Sequence, residues 1–431
     1  MGQVLLDPTA AGPRLPVGAM HDEALPEAAA GLVAHMQREA GATLLPLWAQ
    51  GPSMAEAPAG PAFVAAFLLE HEPACPWRAC EPGEAMGRVS PGEREVLQAA
   101  LSMPGRTPLG SSPAWLQPSW WTSALQWLEG LLGRQGLALL PGTRVLKSPW
   151  SGSAVLAFAT SDGDRVFKVS AGEPPEAAVL ALLQARAAEG EARVPVLVGH
   201  EPVLGCLVMR PFAGRAPMLV ADHARAVRAM AGLQIIQAGR APQWAMLGGA
   251  RRDGAWLQGQ LGSLLLEIPG ALVQHGVADA GLLALGAKLP VARRHCAALD
   301  ECGWPLMLHH EDFRPDNVVL EDDGVCIFDW ADTAFGHPAW ALQRYLQDLP
   351  ADASWHGPVA QAYLEPWSGH LQPDALAQGL RVTRLLAPLY ELARYAAAMD
   401  VTVWAASNPL PGERAMAQSL MARLLAASRE W

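Results

Sequence analysis

Apolar residues follow short, strand-like runs in the middle of the chain and helical spacing toward its C-terminus. Two β-rich runs, SAVLAFAT and RVFKVS, flank Asp162 and Gly163, a pattern that predicts a hairpin. The segment PPEAAVLALLQARAAEG has prolines at its start and Gly190 near its end, and it predicts a helix. PVLGCLVMRPF is apolar and strand-like. From about Asp222 onward helical patterns dominate, interrupted only by residues 308–338.

These patterns predict an α+β protein that consists of a small N-terminal domain, a linker and two lobes. The Pro-, Gly- and Ser-rich stretch MPGRTPLGSSPAWLQP has no periodicity and predicts a linker at 104–118, after a small α/β domain at 1–103. A small β-rich lobe with a leading helix is expected at 119–212, and a large helical lobe at 213–431. A cleft between two such lobes is where nucleotides and small substrates usually bind.

Composition narrows the class of protein. Of the 431 residues, 51% are hydrophobic and 17% charged, which indicates a globular chain. The net charge of −11 argues against nucleic acid as a partner, because binding phosphates needs a basic face. No leader and no apolar run of spanning length is visible, so we expect a cytoplasmic protein without membrane contact. Cys75 and Cys80, with His71 nearby, are interpreted as reduced thiols in preference to a zinc site or a disulfide.

The chemistry-bearing stretch is LHHEDFRPDNVVLEDDGVCIFDWADTAFGHP. Its runs NVVL and VCIF, separated by EDDG, predict a hairpin that brings Asn317 and Asp329 to the same edge. Asp312 precedes that edge, in a loop that Pro315 is expected to keep from becoming helical. Carboxylate and amide oxygens suit Mg²⁺, which takes its remaining ligands from phosphates and water.

The spacing H-x-D-x4-N, followed by an Asp that closes a second strand, is the phosphoryl-transfer layout of protein kinases. That layout also needs an upstream strand lysine paired with a helix acid, and Lys168 and Glu176 are the candidates. The alternative is that Lys168 merely extends from a half-buried strand and that Glu176 is a favourable acid in a first helical turn. The spacing alone is a weak signal, whereas its combination with the upstream lysine and the lobe order is strong.

From about Pro118 to the C-terminus, the chain resembles the aminoglycoside phosphotransferase-like branch of the protein kinase-like fold. This branch includes small-molecule kinases acting on antibiotics, choline and sugars. LHHEDFRPDN resembles its Brenner-type loop and FDWADTAFGHP its Asp-Trp metal motif. LVMRPFAG resembles the connector that receives adenine, and SPWSGSAV the short nucleotide-positioning loop. The resemblance implies a small β-rich N-lobe and a large helical C-lobe.

The resemblance also implies a role for each matching residue. Asp312 would accept the proton, Asn317 and Asp329 would bind Mg²⁺, and His310 would hold the loop backbone. The implied nucleotide-binding residues are Lys168, Glu176, Ser151, Gly152, Met209 and Phe212.

The chain departs from the family pattern at three places. Glu311 stands where a small residue is usual and is expected to add a charge beside Asp312. Arg314 could bind an anionic acceptor or pair with Asp316. The nucleotide loop has the single glycine Gly152, so backbone amides are expected to cradle phosphate less completely.

In the first hundred residues, RLPVGAMHDEALPEAAAGLVAHMQREAGATLLPLW resembles a Nudix box. Of the metal-binding acids of that box, only Glu39 is at its expected position. Ala34, His35 and Arg38 stand where an Arg and two acids are expected. The resemblance therefore implies a degenerate Nudix-like domain, and we do not expect pyrophosphate hydrolysis from it.

We predict a small-molecule kinase that transfers the γ-phosphoryl group of ATP or GTP, with Mg²⁺, to a hydroxyl of a small acceptor. The alternative is a catalytically silent kinase-like protein that binds nucleotide or a partner. The joint presence of Lys168, Asp312, Asn317 and Asp329 favours the enzyme, since a silent protein has no chemical need for all four. The acceptor, the choice between ATP and GTP, the oligomeric state and the role of the N-terminal domain stay open.

Overall fold

The computed structural model describes the elements named below and the segments that join them from residue 114 onward, with gaps. The described ranges are 4–6, 44–50, 64–69, 78–80, 114–116, 118–140, 144–147, 153–170, 175–187, 190–278, 280–350, 352–398 and 411–431. Contacts divide the chain into two compact units: residues 1–171 with 197–211, and residues 172–196 with 212–431. Helices and sheets both contribute, which confirms the predicted α+β class. None of the helices in the described part is long and apolar enough to cross a membrane.

Four short strands are described in the N-terminal part of the first unit. They are β1 (Val4–Leu6), β2 (Leu44–Gln50), β3 (Val64–Leu69) and β4 (Arg78–Cys80). They form two antiparallel pairs, β1 with β4 and β2 with β3. The predicted Nudix-like helix and the nucleotide-loop residues Ser151 and Gly152 lie outside the described residues.

A helix and a five-stranded antiparallel sheet form the rest of the first unit. They are α1 (Pro118–Arg134), β5 (Arg144–Lys147), β6 (Ser153–Phe158), β7 (Arg165–Ser170), β9 (Leu197–Glu201) and β10 (Cys206–Met209). The strand order is β5-β6-β7-β10-β9. Pairing of β6 with β7 confirms the hairpin predicted around Asp162 and Gly163. Trp121 and Leu128 of α1 are buried in one cluster with Phe158 and Phe167 of the sheet, so the helix covers an apolar sheet face.

The second unit is mainly helical. Its helices are α2 (Glu176–Ala187), α3 (Val220–Ile236), α4 (Ala241–Met246), α5 (Gly254–Gly262), α6 (Ile268–Gln274), α7 (Leu289–Glu301), α8 (Ala339–Gln347), α9 (Ala353–Trp367), α10 (Pro373–Ala398) and α11 (Pro411–Ala427). Leucines from α5, α7, α10 and α11 share one buried cluster with Trp340 of α8. That cluster anchors α8 and α10, the two helices that supply side chains to the candidate site.

Two small sheets among the described residues belong to the second unit and carry the loops with the candidate site residues. Their strands are β8 (Ala192–Arg193), β11 (Ala250–Arg252), β12 (Met307–His310), β13 (Val318–Leu320), β14 (Val325–Ile327) and β15 (Thr333–Gly336). The sheet orders are β11-β15-β12 and β13-β14-β8. The register Val318↔Ile327 confirms the second predicted hairpin. The expectation that only residues 308–338 interrupt the helical pattern was wrong. Residues Ala250–Arg252 form strand β11, and its pairing partner β15 lies far away in the sequence.

Candidate active site

His310 ends β12 and links two segments of the site. The backbone N–H of Asp312 donates to Nδ1 of His310 at 3.2 Å, and Nε2 of His310 lies 2.9 Å from the carbonyl oxygen of Phe328. Because Nδ1 accepts, the ring hydrogen is on Nε2 and is donated to Phe328. Burial lowers the pKa of His310, which favours this neutral form. The imidazole thus connects the Asp312 loop to the residue that follows β14.

Asn317 is bonded directly to Asp312. Its Nδ2 donates to the carbonyl oxygen of Asp312 at 2.9 Å and to Oδ2 at 3.2 Å. The loop was expected to avoid helix, but Pro315–Asn317 form one turn of 3₁₀ helix. Proline is tolerated at the first position of a helical turn, where no backbone N–H is needed, so it starts this turn. The turn brings the Asn317 side chain back to Asp312.

Asp329 lies beyond the other strand of the same hairpin. The backbone N–H of Phe328 donates to the carbonyl oxygen of Asn317 at 3.1 Å, which joins the two strand ends. Asp329 has a φ of 64°, the left-handed region that few residues other than glycine adopt. Such a conformation costs free energy and is concentrated at functional sites. The hairpin register and this backbone turn therefore place Asn317 and Asp329 at one edge.

The donor set at this edge fits Mg²⁺. The amide nitrogen of Asn317 is directed to Asp312, so the amide oxygen is the atom that can coordinate a metal. Asp329 supplies a carboxylate from the same hairpin edge. Mg²⁺ binds proteins through one or two such oxygen ligands and completes its octahedron with substrate phosphates and water.

Arg344 contacts the candidate site, although it was not identified from the sequence. From the last turn of α8, its Nε and Nη2 lie 3.2 and 3.1 Å from Oδ1 of Asp312. Its Nη1 lies 3.0 Å from Oδ1 of Asp348. The sequence offered only a basic residue in the region of helical patterns after residue 338, and a basic residue near a helix end is common because it favours the helix dipole.

Arg314 continues the same chain of ion pairs. Its Nη2 lies 2.6 Å from Asp316 and its Nε 3.2 Å from Asp348. Pairing with Asp316 was one of the two interpretations left open by the sequence. Contact of Arg314 with an acceptor stays a prediction.

Glu311 was expected to add a charge beside Asp312, but arginines compensate this charge. Nε of Arg394 lies 3.2 Å from one carboxylate oxygen and Nε of Arg252 lies 3.4 Å from the other. The hydroxyl of Tyr390 donates to the same carboxylate. Burial alone would raise the pKa of Glu311, but the positive charge of Arg394, with the other partners, holds it below its ordinary value. Glu311 is therefore an ionised, paired carboxylate.

The candidate nucleotide-binding residues are distributed over both units. Lys168 is a buried residue of β7 in the first unit, between Val155 and Leu207 on the neighbouring strands. Glu176 begins α2 in the second unit, where its Oε1 accepts from the backbone N–H of Trp330 at 3.0 Å. The pairing of Lys168 with Glu176 stays a prediction.

The two connector residues are also described. Met209 ends β10 and is buried, as part of the first unit. Phe212 belongs to the second unit, where its ring centroid lies 4.7 Å from that of Phe328. Phe212 thus packs beside the residue that precedes Asp329, and its contact with a nucleotide stays a prediction.

Comparison with known proteins identifies a family. The sequence model described as "Phosphotransferase enzyme family" matches residues 143–376, which is more than half of the chain. No curated protein matches the chain. Among solved structures, the macrolide 2′-phosphotransferase MphH from Brachybacterium faecium is 23% identical, with 66% of this chain and 99% of that chain covered and a TM-score of 0.41. Choline kinase from Cryptosporidium parvum is 12% identical, with 67% and 89% covered and a TM-score of 0.45.

Proposed function

Because the chain belongs to the phosphotransferase enzyme family, we propose that it is a small-molecule kinase that phosphorylates a hydroxyl group of its acceptor. The phosphoryl donor is ATP or GTP. The observation that carries the proposal is the joining of Asp312, Asn317 and the Asp329 segment by hydrogen bonds and one hairpin. That arrangement offers a proton acceptor and two metal ligands, which are the groups that phosphoryl transfer requires.

Asp312 orients the acceptor hydroxyl and accepts its proton. The transition state of phosphoryl transfer is loose, so the main task of the protein is to align the hydroxyl with the γ-phosphorus. Asn317 and Arg344 contact the two oxygens of Asp312, which limits rotation of the carboxylate. A carboxylate held in this way offers its remaining lone pairs to the hydroxyl in a defined direction.

Asn317 and Asp329 are the proposed ligands of Mg²⁺, which supplies neutralisation of phosphate charge when it is bound. Lys168 is proposed to hold the nucleotide phosphates, with Glu176 as its orienting acid. Met209 and Phe212 are proposed to border the adenine or guanine ring. Ser151 and Gly152 are proposed to contact the phosphates from the nucleotide loop.

The test uses the purified full chain with γ-labelled ATP or γ-labelled GTP and Mg²⁺. The acceptor panel covers aminoglycosides, macrolides, choline and sugars, and release of labelled phosphate to water is measured in parallel. We expect transfer to at least one acceptor, with loss of the transfer in the Asp312→Asn variant. Tight binding of Mg²⁺–nucleotide without transfer to any acceptor or to water would favour the alternative of a catalytically silent binding protein.

A further inference from the structure

We propose that Glu311 and Arg394 form a positioning pair that fixes the distance between the proton-accepting carboxylate of Asp312 and the metal-binding segment at Asp329. The inference rests on the proposed function and concerns residues outside the phosphoryl-transfer layout. Neither residue is proposed to touch substrate. Their effect is exerted through the backbone on both sides of the site.

The backbone of Glu311 connects two segments of the site. Its N–H donates to the carbonyl oxygen of Asp332 at 2.9 Å, three residues beyond Asp329. Its carbonyl oxygen accepts from Nη1 of Arg394 at 2.5 Å. Residue 311 immediately precedes Asp312, so both hydrogen bonds act within one residue of the proposed proton acceptor.

The carboxylate of Glu311 holds the same arginine a second time. Arg394 donates to the backbone of Glu311 through Nη1 and pairs with its carboxylate through Nε at 3.2 Å. A guanidinium that engages backbone and side chain of one residue has little freedom to rotate. The side chain of Glu311 is 7% exposed, so solvent competes little for this pair. The further contact of Arg394 with Asp332 spans 3.7 Å to a carboxylate that is 59% exposed, and it adds little.

A directed chain of hydrogen bonds approaches Glu311 from a second side. The hydroxyl of Tyr390 donates to the carboxylate, and its oxygen lies 3.0 Å from Nε2 of His309. Burial lowers the pKa of His309 to about 3, so the ring is neutral. Because the Tyr390 hydroxyl donates its hydrogen to Glu311, its oxygen accepts from Nε2–H of His309. The chain therefore runs from His309 through Tyr390 to Glu311, and each donor points toward the negative charge.

This arrangement ties the loop that contains Asp312 to α10, which contributes both Tyr390 and Arg394. The apolar side of α10 is fixed in the large buried cluster of the second unit. Glu311 thus links the position of the loop to that of a helix packed in the buried cluster. Reacting groups must be held within a fraction of an ångström, and a misplacement of about 1 Å can cost on the order of 10²-fold in rate.

The charge arrangement gives a test that separates positioning from stability. Arg394→Met leaves the buried site one positive charge short, and Glu311→Gln leaves it one negative charge short. The double variant restores the charge balance but not the two contacts of Arg394 with residue 311. A structural role alone predicts that stability and activity recover together in the double variant. A positioning role predicts recovery of stability with activity still low.

Four proteins are compared with wild type: the two single variants, the double variant and the control Arg384→Met. Arg384 lies on the same helix, and its pair with Glu430 is exposed, with side chains 63% and 57% accessible. The thermal midpoint is measured first. At a temperature where all proteins are folded, the Mg²⁺ concentration for half-maximal stabilisation by ATP or GTP and the turnover with the acceptor found by the screen are then measured.

We expect the double variant to regain most of the thermal midpoint lost by the single variants, while its turnover stays roughly 10- to 100-fold below wild type. The half-saturating Mg²⁺ concentration should rise about tenfold, because residue 311, whose backbone is hydrogen-bonded to Asp332 near Asp329, loses its anchor on Arg394. Arg384→Met should match wild type in both. Recovery of turnover along with stability, or unchanged Mg²⁺ and turnover in Arg394→Met, would overturn the proposal. If wild type transfers phosphate to nothing, the proposed function fails, and the Mg²⁺ measurement still tests the positioning pair.

Discussion

Nη2 of Arg344 lies 3.1 Å from Oδ1 of Asp312, so the carboxylate proposed to accept the proton is paired with a cation. The side chain of Arg344 is 17% exposed and is held in turn by Asp348 at 3.0 Å. Asn317 contacts the other oxygen of Asp312 at 3.2 Å. The two oxygens are therefore held by different elements: Arg344 lies in the last turn of α8, and Asn317 directly precedes β13. This relationship leads to the first prediction.

Replacement of Arg344 by Met should lower turnover about 10- to 100-fold, because Asp312 loses the contact that fixes its orientation. Nucleotide affinity should change little, since Arg344 is proposed to act only through Asp312. Single-turnover transfer and calorimetric nucleotide binding measure the two effects. Arg228→Met is the control, because its pair with Glu365 on the surface of the same unit is exposed. A turnover equal to or above that of wild type would show that Arg344 does not orient the carboxylate productively.

Replacement of Asp312 by Asn should lower the rate of transfer on the order of 10²–10⁴-fold, the usual effect of losing a general base. The amide keeps the shape and one acceptor oxygen but lacks the basic oxygen that takes the proton. Nucleotide affinity should change much less, because nucleotide binding is assigned to other residues. The same two assays measure this difference. Equal losses of transfer and binding would make Asp312 a structural or metal-binding residue.

Two replacements of Asp329 separate its backbone conformation from its carboxylate. At φ 64°, glycine fits without strain whereas alanine does not, so Asp329→Gly should be more stable than Asp329→Ala by about 1 kcal/mol. Both should lose the thermal stabilisation that Mg²⁺ with ATP or GTP gives wild type, because both lack the metal ligand. Chemical denaturation and thermal shift assays measure the two properties. A response to Mg²⁺–nucleotide as strong as that of wild type in either variant would refute the metal assignment.

Buried histidines should make the protein unstable in weak acid. Burial lowers the pKa of His337 to about 3, and that of His309 likewise to about 3, far below the ordinary value of about 6.5. Below pH 6.5 the unfolded chain then binds more protons than the folded protein. The contribution of these histidines to the free energy of unfolding is therefore fully present above pH 6.5 and is lost as the pH falls toward 3. Each histidine should contribute a slope of about 1.4 kcal/mol per pH unit below the unfolded pKa.

The control for this prediction is His337→Asn. An asparagine oxygen can replace Nδ1 of His337 as acceptor for the backbone N–H of Ala339, but it cannot be protonated. The free energy of unfolding is measured between pH 6.5 and 5, above the range in which ordinary carboxyl groups titrate. Its slope against pH should decrease by about 1.4 kcal/mol per pH unit, which corresponds to one proton. The comparison uses slopes, so a difference in stability at pH 7 does not affect it. An unchanged slope would mean that His337 is protonated in the folded protein.

Much of the candidate site follows from local sequence. Turn residues and apolar runs predicted the hairpin that carries Asn317 and Asp329, because pairing of adjacent strands needs only a short turn and matching apolar faces. The spacing of His310, Asp312 and Asn317 indicated the phosphotransferase family, which the family match confirms. The prediction was less accurate near Pro315. Proline prevents a long helix there, as expected, but it also starts a short 3₁₀ turn.

The sequence by itself thus determined most of the helices and strands around the candidate site, the order of its loops and the family. Only the tertiary structure decided which charges meet. Arg394 reaches Glu311 across 83 positions of sequence, and Arg344 reaches Asp312 across 32. Residues so far apart share no periodicity or turn, and their contact depends on how α8 and α10 pack in the apolar cluster. Local patterns specify local backbone, whereas buried ion pairs form only when the folded core brings distant side chains within about 4 Å and excludes water from them.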